Sequence, residues 1–161
     1  MEHTGGLIRN NIVMNCADVG LYLNRAKDTL VLNNLFYRTM GIDVRFEQST
    51  AEIKNNIVDG KIKSRDGGTF SSSHNLVFRG LTNIFGPQPQ DCFADPARTD
   101  FRLKDGRDIL DKGLPHGDIA HLDICGQSWG KKPNIGPFAY SNLPLCTLLD
   151  FSGAEQTAGK P

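Results

Sequence analysis

Aromatic, acidic and cationic side chains recur in three segments that each begin with glycine. The segments are Gly20-Leu21-Tyr22-Leu23, Gly41-Ile42-Asp43-Val44 and Gly60-Lys61-Ile62-Lys63. Because side chains alternate between the two faces of a strand, we expect two outer columns whose members lie about 4.8 Å apart. One column holds Tyr22, Asp43 and Lys61, and the next holds Asn24, Arg45 and Lys63.

These residue types can bind an anionic substrate and transfer a proton. Lys61, Arg45 and Tyr22 are the catalytic candidates, because such side chains neutralise carboxylates and take up protons. Asn24, Asp43, Lys63 and Trp129 are the substrate-binding candidates. A solvated face is the alternative interpretation. Two cations about 5 Å apart repel by roughly 3 kcal/mol at an effective dielectric of about 20, and long side chains on a wet strand simply splay apart.

A metal site is a weaker hypothesis. His116, Asp118, His121 and Asp123 lie within eight residues, and Asp111 or Cys125 could complete the set. The alternative is a surface loop, since aspartate and glycine mark turns. We expect no cofactor, with a divalent cation such as Ca²⁺ as the one exception.

Two smaller motifs have both a functional and a structural interpretation. Trp129, followed by Gly130-Lys131-Lys132-Pro133, predicts an exposed aromatic side chain for a sugar or a partner, or a loop packed on the fold. His74 follows Ser71-Ser72-Ser73, which could form a nucleophile pair. The other interpretation places His74 inward, at the end of a ladder of asparagines.

An asparagine pair repeats about every 22 residues. Ile8-Arg9-Asn10-Asn11-Ile12-Val13 matches Val31-Leu32-Asn33-Asn34-Leu35-Phe36 and Ile53-Lys54-Asn55-Asn56-Ile57-Val58, with a weaker copy at Ser72-Ser73-His74-Asn75-Leu76-Val77. Asparagine tolerates the left-handed backbone of a sharp corner, and its amide can bond to the copy above.

Short strands with tight corners at this period predict a coil, in which each strand pairs in parallel with its own copy one turn later. We expect three interior stacks, which are Ile8, Val31 and Ile53, then Ile12, Leu35 and Ile57, then Leu21, Ile42 and Ile62. A β-sandwich with asparagine-rich turns is the alternative.

The Asn-Asn-Ile-Val and Gly-Ile-Asp-Val phrases resemble the right-handed parallel β-helix, or pectate-lyase-like, superfamily. Asp95-Pro96-Ala97-Arg98-Thr99-Asp100-Phe101-Arg102-Leu103-Lys104 with Asp111-Lys112-Gly113 resembles the C-terminal closing segment of such proteins. The resemblance spans roughly residues 7–140. It implies an all-β fold, a short right-handed parallel β-helix of three to four turns with a closing segment. The boundaries we predict are residues 7–85 for the coil, 86–145 for the closing segment and 146–161 for a tail.

The resemblance also implies a function, since enzymes of this superfamily use such an outer face as a sugar groove. Binding of a polysaccharide or oligosaccharide, with polysaccharide lyase or glycoside hydrolase activity, is therefore the expectation. The paired Asp-Asp and Gly-His-Gly signatures are missing, which puts catalysis in doubt. The competing hypothesis is a scaffold that forms a homo-oligomer through its open edge.

Composition narrows the partners. Lysine plus arginine number 18 and aspartate plus glutamate also number 18, so the zero net charge argues against a nucleic-acid partner. We expect no membrane span, because no apolar run approaches about 18 residues. The chain begins without an export signal, which leaves the compartment unknown: extracellular or periplasmic if this is a fragment of a secreted parent. For Cys16, Cys92, Cys125 and Cys146 we expect free buried thiols, with a Cys125–Cys146 bridge as the exception.

Overall fold

In a computed structural model the described residues are 2–78, 88–104, 109–140 and 146. Almost all the regular structure is β. The strands, in chain order, are β1 (His3–Thr4), β2 (Leu7–Arg9), β3 (Ile12–Met14), β4 (Leu21–Asn24), β5 (Ala26–Lys27), β6 (Thr29–Leu32), β7 (Leu35–Tyr37), β8 (Gly41–Arg45), β9 (Thr50–Lys54), β10 (Ile57–Asp59), β11 (Lys61–Arg65), β12 (Thr69–Ser73), β13 (Leu76–Phe78), β14 (Phe93–Asp95) and β15 (Asp100–Leu103). One short helix, α1, covers Pro89–Cys92, and two 3₁₀ turns cover Pro96–Arg98 and Gly117–Ala120. In the described part of the chain, no helix has the length and apolar character needed to cross a bilayer.

Three parallel sheets run along a coil of about four turns. Sheet 1 contains β2, β6, β9 and β12; sheet 2 contains β3, β7, β10 and β13; sheet 3 contains β4, β8 and β11. Each strand pairs with the strand one turn later, so Ile8 lies level with Val31 and Val31 with Ile53. The expected fold class is confirmed, and the parallel register excludes the β-sandwich.

The second asparagine of each pair forms a continuous ladder inside the corner between sheets 1 and 2. The backbone N–H and the Nδ2 of Asn11 both donate to Oδ1 of Asn34 at 2.9 Å. Asn34 donates in the same way to Asn56, and Asn56 to Asn75. Asn34 and Asn56 are fully buried. Since the amides of Asn11, Asn34 and Asn56 each bond to the next copy, the ladder holds the turns in register.

The first residue of each pair makes the corner itself. Asn10, Asn33, Asn55 and His74 all have positive φ, between 53° and 58°. We call these four residues the corner column. The expectation that His74 points inward is wrong, because His74 is exposed and Asn75 occupies the ladder position.

The interior of the coil is apolar, and two of the three expected stacks lie in it. Ile8, Val31 and Ile53 pack inside, as do Leu21, Ile42 and Ile62. The third expected stack is wrong: Phe36 and Val58 point inward instead of their neighbours Leu35 and Ile57. The left-handed corner shifts the alternation by one residue, so that the inward positions of the first copy are Ile8, Asn11 and Val13.

The outer side of sheet 2 is therefore apolar, and we call it the apolar face. Its members are Ile12, Met14, Leu35, Tyr37, Ile57, Asp59, Leu76 and Phe78. The C-terminal part of the chain packs on this face through a second core that includes Phe93, Phe101, Ile109 and Phe138. Phe101 meets Phe93 and Tyr37 edge to face, with both pairs of ring centroids 5.3 Å apart. We call residues 109–140 the closing segment from here on. The domain boundaries at residues 85 and 145 are still predictions from the sequence.

The cysteines differ from the expectation of free buried thiols. Cys125 forms a disulfide with Cys146, the pairing named as the exception, across 21 residues of chain. Cys16 is an exposed free thiol and Cys92 is buried. Apart from Cys146, the expected tail lies outside the described residues.

Candidate functional site

The outer side of sheet 3 carries most of the candidate residues, and we call it the polar face. The structure corrects the expected columns by two residues on β11. Tyr22 lies level with Asp43, and Asp43 with Lys63; the next column is Asn24, Arg45 and Arg65. Lys61 lies level with Gly41, and Gly41 bonds to Gly20 through its carbonyl oxygen. Gly60 lies one residue before β11 and is not level with Gly41, so aligning the segments on their glycines gives the wrong register. Aligning Ile62 with Ile42 and Leu21 gives the register that the structure shows.

A close approach of backbones explains why Gly41 leads its strand. Its φ is 101°, and a Cβ there would lie 2.1 Å from the carbonyl oxygen of Lys61. No side chain fits at that distance, so the turns approach closely at this point. The glycine positions the start of the polar face, whose first side chains are Tyr22 on one turn and Asp43 on the next.

Asp43 was expected to be an accessible ligand group, and the structure buries it completely. Its Oδ2 accepts a hydrogen bond of 3.0 Å from Nη1 of Arg65, which the sequence analysis did not single out. That hydrogen bond raises the pKa of the exposed Arg65. The other oxygen, Oδ1, is buried without a hydrogen-bond partner. A buried carboxylate oxygen without a donor is uncommon, since such atoms are normally paired.

The cations of the polar face fall into two groups. The arginines are engaged: Arg65 binds Asp43, and Arg45 forms an ion pair with Asp66 and lies 4.9 Å from the centre of the Phe46 ring. The side-chain amines of Lys61 and Lys63 have no hydrogen bond or ion pair within the described residues. The lysines are thus the cations available to a ligand.

Tyr22 is the exposed aromatic of this face. Tyr22 is 41% exposed, and its hydroxyl lies 3.4 Å from both carboxylate oxygens of Asp18. The ring is therefore accessible while its hydroxyl is only weakly held. Asn24, one position further along β4, is also exposed.

A strained aromatic borders the polar face where β8 ends. Phe46 has a φ of 72°, which is rare for a bulky residue, and Arg25 lies 5.3 Å from its ring centre. Arg25, Phe46 and Asp66 each follow a strand of sheet 3, and all three have positive φ. The sequence gives no signal for this corner. At the asparagine corner the same residue type recurs, whereas here only the left-handed backbone conformation recurs, at an arginine, a phenylalanine and an aspartate.

The metal hypothesis finds no support in the described part of the chain, where no three histidine, cysteine or acidic side chains converge. Asp123 is buried and accepts backbone N–H groups from Cys125, Gln127 and Ala139. Nδ1 of His121 lies near the carbonyl oxygen of Asp118, while His116 contacts Asn55. Asp123 thus organises its loop, and the other candidates point to different partners.

For Trp129 the structure favours the second of the two interpretations, a residue packed within a loop. Trp129 is 9% exposed, so it packs in the closing segment and does not form an open platform. Its Nε1 is buried without a hydrogen-bond partner. Ser71, Ser72 and His74 are exposed on or beside β12, and the structure shows no hydrogen bond between His74 and these serines.

The sequence profile described as "right handed beta helix region" matches residues 1–82, just over half of the chain. The chain belongs to the right-handed β-helix family. No curated protein and no solved structure matches it. In this β-helix the matched part covers all three sheets of the coil, including the whole polar face. The family assignment therefore concerns the fold and leaves ligand and reaction to be argued from the face itself.

Proposed function

We propose that this β-helix binds an acidic polysaccharide along the polar face. The observation that carries the proposal is the pair of unpartnered lysines, Lys61 and Lys63, on the same rigid strand face as the exposed Tyr22. Successive turns of a parallel coil are about 4.8 Å apart, a spacing near the length of one sugar unit. The lysines contact carboxylates of the ligand, and the Tyr22 ring packs on a sugar face.

The engaged groups have a different role in this proposal. Arg65 and Arg45 hold Asp43 and Asp66, so they shape the face and leave ligand charge to the lysines. Asp43 is fully buried, so in this proposal it shapes the face from beneath together with Arg65 and does not contact the ligand. Asn24 extends the same contact surface at the end of β4.

Lyase activity is the finer form of the proposal. In such a step a base removes the proton at C5 of a uronic acid, the electron pair forms a C4–C5 double bond, the bond from C4 to the glycosidic oxygen breaks, and that oxygen takes up a proton from water or from the protonated base. Tyr22 is the base on this face, and Lys61 can take that part only as a neutral amine. Lys63 then supplies the positive charge, because Arg45 is already paired with Asp66. Absorbance of the unsaturated product, followed with pectate, alginate and chondroitin, measures this step directly.

Binding is tested by affinity electrophoresis in gels containing polygalacturonate, alginate, chondroitin sulfate or neutral dextran. We expect retardation by an acidic polymer and about tenfold weaker binding of the Lys61→Ala/Lys63→Ala variant. Lys27→Ala/Lys112→Ala is the matched control, because it removes two exposed lysines elsewhere. Tyr140→Ala is the control for Tyr22→Ala, since both tyrosines are 41% exposed. Equal binding by the two lysine variants would contradict the proposed site.

A scaffold that associates with its own copies is the second candidate. Within the described residues, β2, β3 and β4 each pair on one side only, and Leu7 on β2 is 45% exposed. Unpaired strand edges are templates for pairing with another chain. Light scattering decides this point: a dimer that Leu7→Lys converts to a monomer supports the scaffold, and a wild-type monomer contradicts it.

A further inference from the structure

The corner column connects the coil to the closing segment. Nδ2 of Asn10 donates to the carbonyl oxygen of Leu122 at 2.8 Å. Nδ2 of Asn33 donates at 3.0 Å to the carbonyl oxygens of Asn134 and Gly136. The third corner residue, Asn55, contacts both Leu114 and His116. Three of the four positions that turn the chain thus also attach residues distant in sequence.

The orientation of the Asn55 amide is determined by its neighbours. Its Oδ1 accepts the backbone N–H of Leu114 at 2.9 Å, and its Nδ2 donates to the carbonyl oxygen of the same residue, also at 2.9 Å. Oδ1 of Asn33 lies 3.3 Å from Nδ2, the longest of its three contacts, so it only shares one of the two amide hydrogens that Leu114 and His116 receive. Reversing the amide would place its oxygen against carbonyl oxygens, so Nδ2 must be the donor on this side.

His116 completes the contact and must accept. Its Nε2 lies 3.0 Å from Nδ2 of Asn55. An amide nitrogen has no lone pair to offer, so the imidazole receives the hydrogen bond through an unprotonated Nε2 and carries its own proton on Nδ1. Protonating Nε2 would set one N–H against another.

We propose that the His116–Asn55 contact is an acid-sensitive latch that holds residues 114–116 of the closing segment to the coil. Among the described side-chain contacts between the corner column and the closing segment, this is the one that includes a titratable group. The hydrogen bonds at Asn10 and Asn33 reach backbone carbonyls and do not respond to pH. Acid therefore loosens the third level of the attachment and leaves the lower two in place.

The electrostatic surroundings act in the same direction. Partial burial and then the charge of Lys54 lower the pKa of His116 from its usual 6.5, and Glu52 opposes them. Lys54 and Glu52, the charged groups that act on the ring, both lie on β9 and pair with each other. A histidine whose folded pKa is lowered stabilises the fold above the unfolded pKa. That contribution is lost as the pH falls from about 6.5 through the folded value.

Hydrogen exchange at the Leu114 amide tests the latch, because this N–H bonds to Asn55 itself. Exchange is measured on the intact protein across the acidic range and expressed relative to an unstructured chain at the same pH. We expect protection to fall below pH 6.5 by up to tenfold for each pH unit. The amide of Leu35, bonded to the carbonyl of Asn11 inside the coil, keeps its protection and serves as the internal reference.

Two variants separate titration from packing. In His116→Gln the side-chain oxygen still accepts from Asn55 but cannot titrate, so the pH dependence of Leu114 protection disappears. His121→Gln removes an exposed histidine of the same segment and keeps the wild-type profile. If His116→Gln keeps the acid-induced loss, or if His121→Gln abolishes it, the latch is wrong.

The tautomer gives a readout that does not depend on the variants folding well. Nitrogen NMR of the wild-type protein should show His116 protonated on Nδ1 at neutral pH, with a titration midpoint below that of histidine in an unstructured peptide. A proton on Nε2 at neutral pH would overturn the proposal, because the acceptor would then be absent.

Discussion

The apolar face and the polar face lie on the same coil and share its interior, yet they differ in what covers them. On sheet 2 the outer column of Ile12, Leu35, Ile57 and Leu76 is packed under the closing segment. On sheet 3 the corresponding outer positions are Tyr22, Asp43 and Lys63. The interior columns therefore specify the coil, while the outer columns specify what packs against it.

The two faces also differ in how they meet the cost of burial. Phe101 and Ile57 are buried among apolar side chains, where removal of area from water is favourable. Asp43 is buried just as fully but needs the guanidinium of Arg65 to compensate its charge. The polar face is consequently held by pairs of charges, and the apolar face by packing.

The largest expected effect comes from emptying the second core. Phe101→Ala should lower the free energy of unfolding by about 4 kcal/mol, because it leaves a cavity between Phe93 and Tyr37. Phe36→Ala, inside the coil, should cost a similar amount, since both rings are 1% exposed. Chemical denaturation measures both. A loss of less than about 1 kcal/mol for Phe101→Ala alone would mean that the second core adds little to the stability of the coil.

The next largest loss of stability is expected in the asparagine ladder, which holds together the turns that carry both faces. Asn34→Ala should cost about 3 kcal/mol, because it leaves the backbone N–H of Asn11 and the carbonyl oxygen of Ile8 without their partners. Thermal or chemical unfolding measures it. The control is Asn24→Ala on the polar face, where the side chain is exposed and the change should stay within about 0.5 kcal/mol.

The lysines of the polar face should contribute almost nothing to stability. Lys61→Ala and Lys63→Ala should each change the free energy of unfolding by less than about 0.5 kcal/mol, because neither amine has a partner in the described structure. Matching denaturation curves would show that any lost polysaccharide binding comes from the face itself. A marked destabilisation would instead identify the lysines as structural and weaken the contrast between the faces.

The coil could be predicted from the sequence because the same residue type, asparagine, recurs at each corner. Three asparagine pairs at nearly equal steps imply both the corner and the ladder, and Asn34 lies where that reasoning places it. The apolar face could not be found in this way. A single left-handed residue at the corner shifts the alternation, and a count by twos then assigns Leu35 to the interior in place of Phe36.

The candidate site was predictable in its strand and not in its chemistry. Alternation correctly places the side chains of Tyr22, Asp43 and Arg45 on the outer face. The register of β11 depends on its pairing with β8, in which Lys61, and not Gly60, lies level with Gly41. Burial of Asp43 depends on Arg65, which follows it by 22 residues and approaches it only in the folded coil. The role of His116 likewise requires the closing segment to be in place, which no spacing within residues 116–123 indicates.

A further small effect concerns the carboxylate on the apolar face. Asp59 continues the outer column of Met14 and Tyr37, and desolvation raises its pKa above the usual 3.8, although the N–H and the charge of Arg38 oppose this. A carboxyl whose folded pKa is raised stabilises the fold below the unfolded pKa, and this contribution is lost as the pH rises through the folded value.

Asp59→Asn removes the cost of burying a charged carboxylate at neutral pH, and it keeps a side-chain oxygen that accepts the backbone N–H of Arg38. We therefore expect a gain of less than about 1 kcal/mol at neutral pH, since Asp59 remains partly exposed, and a vanishing difference below pH 3.8. Denaturation of the variant and the wild type at both pH values measures the gain, with the exposed Asp118→Asn as control. If Asp59→Asn is instead destabilising at neutral pH, attraction to Arg38 outweighs desolvation. The apolar face would then tolerate charge by pairing it, as the polar face does with Asp43.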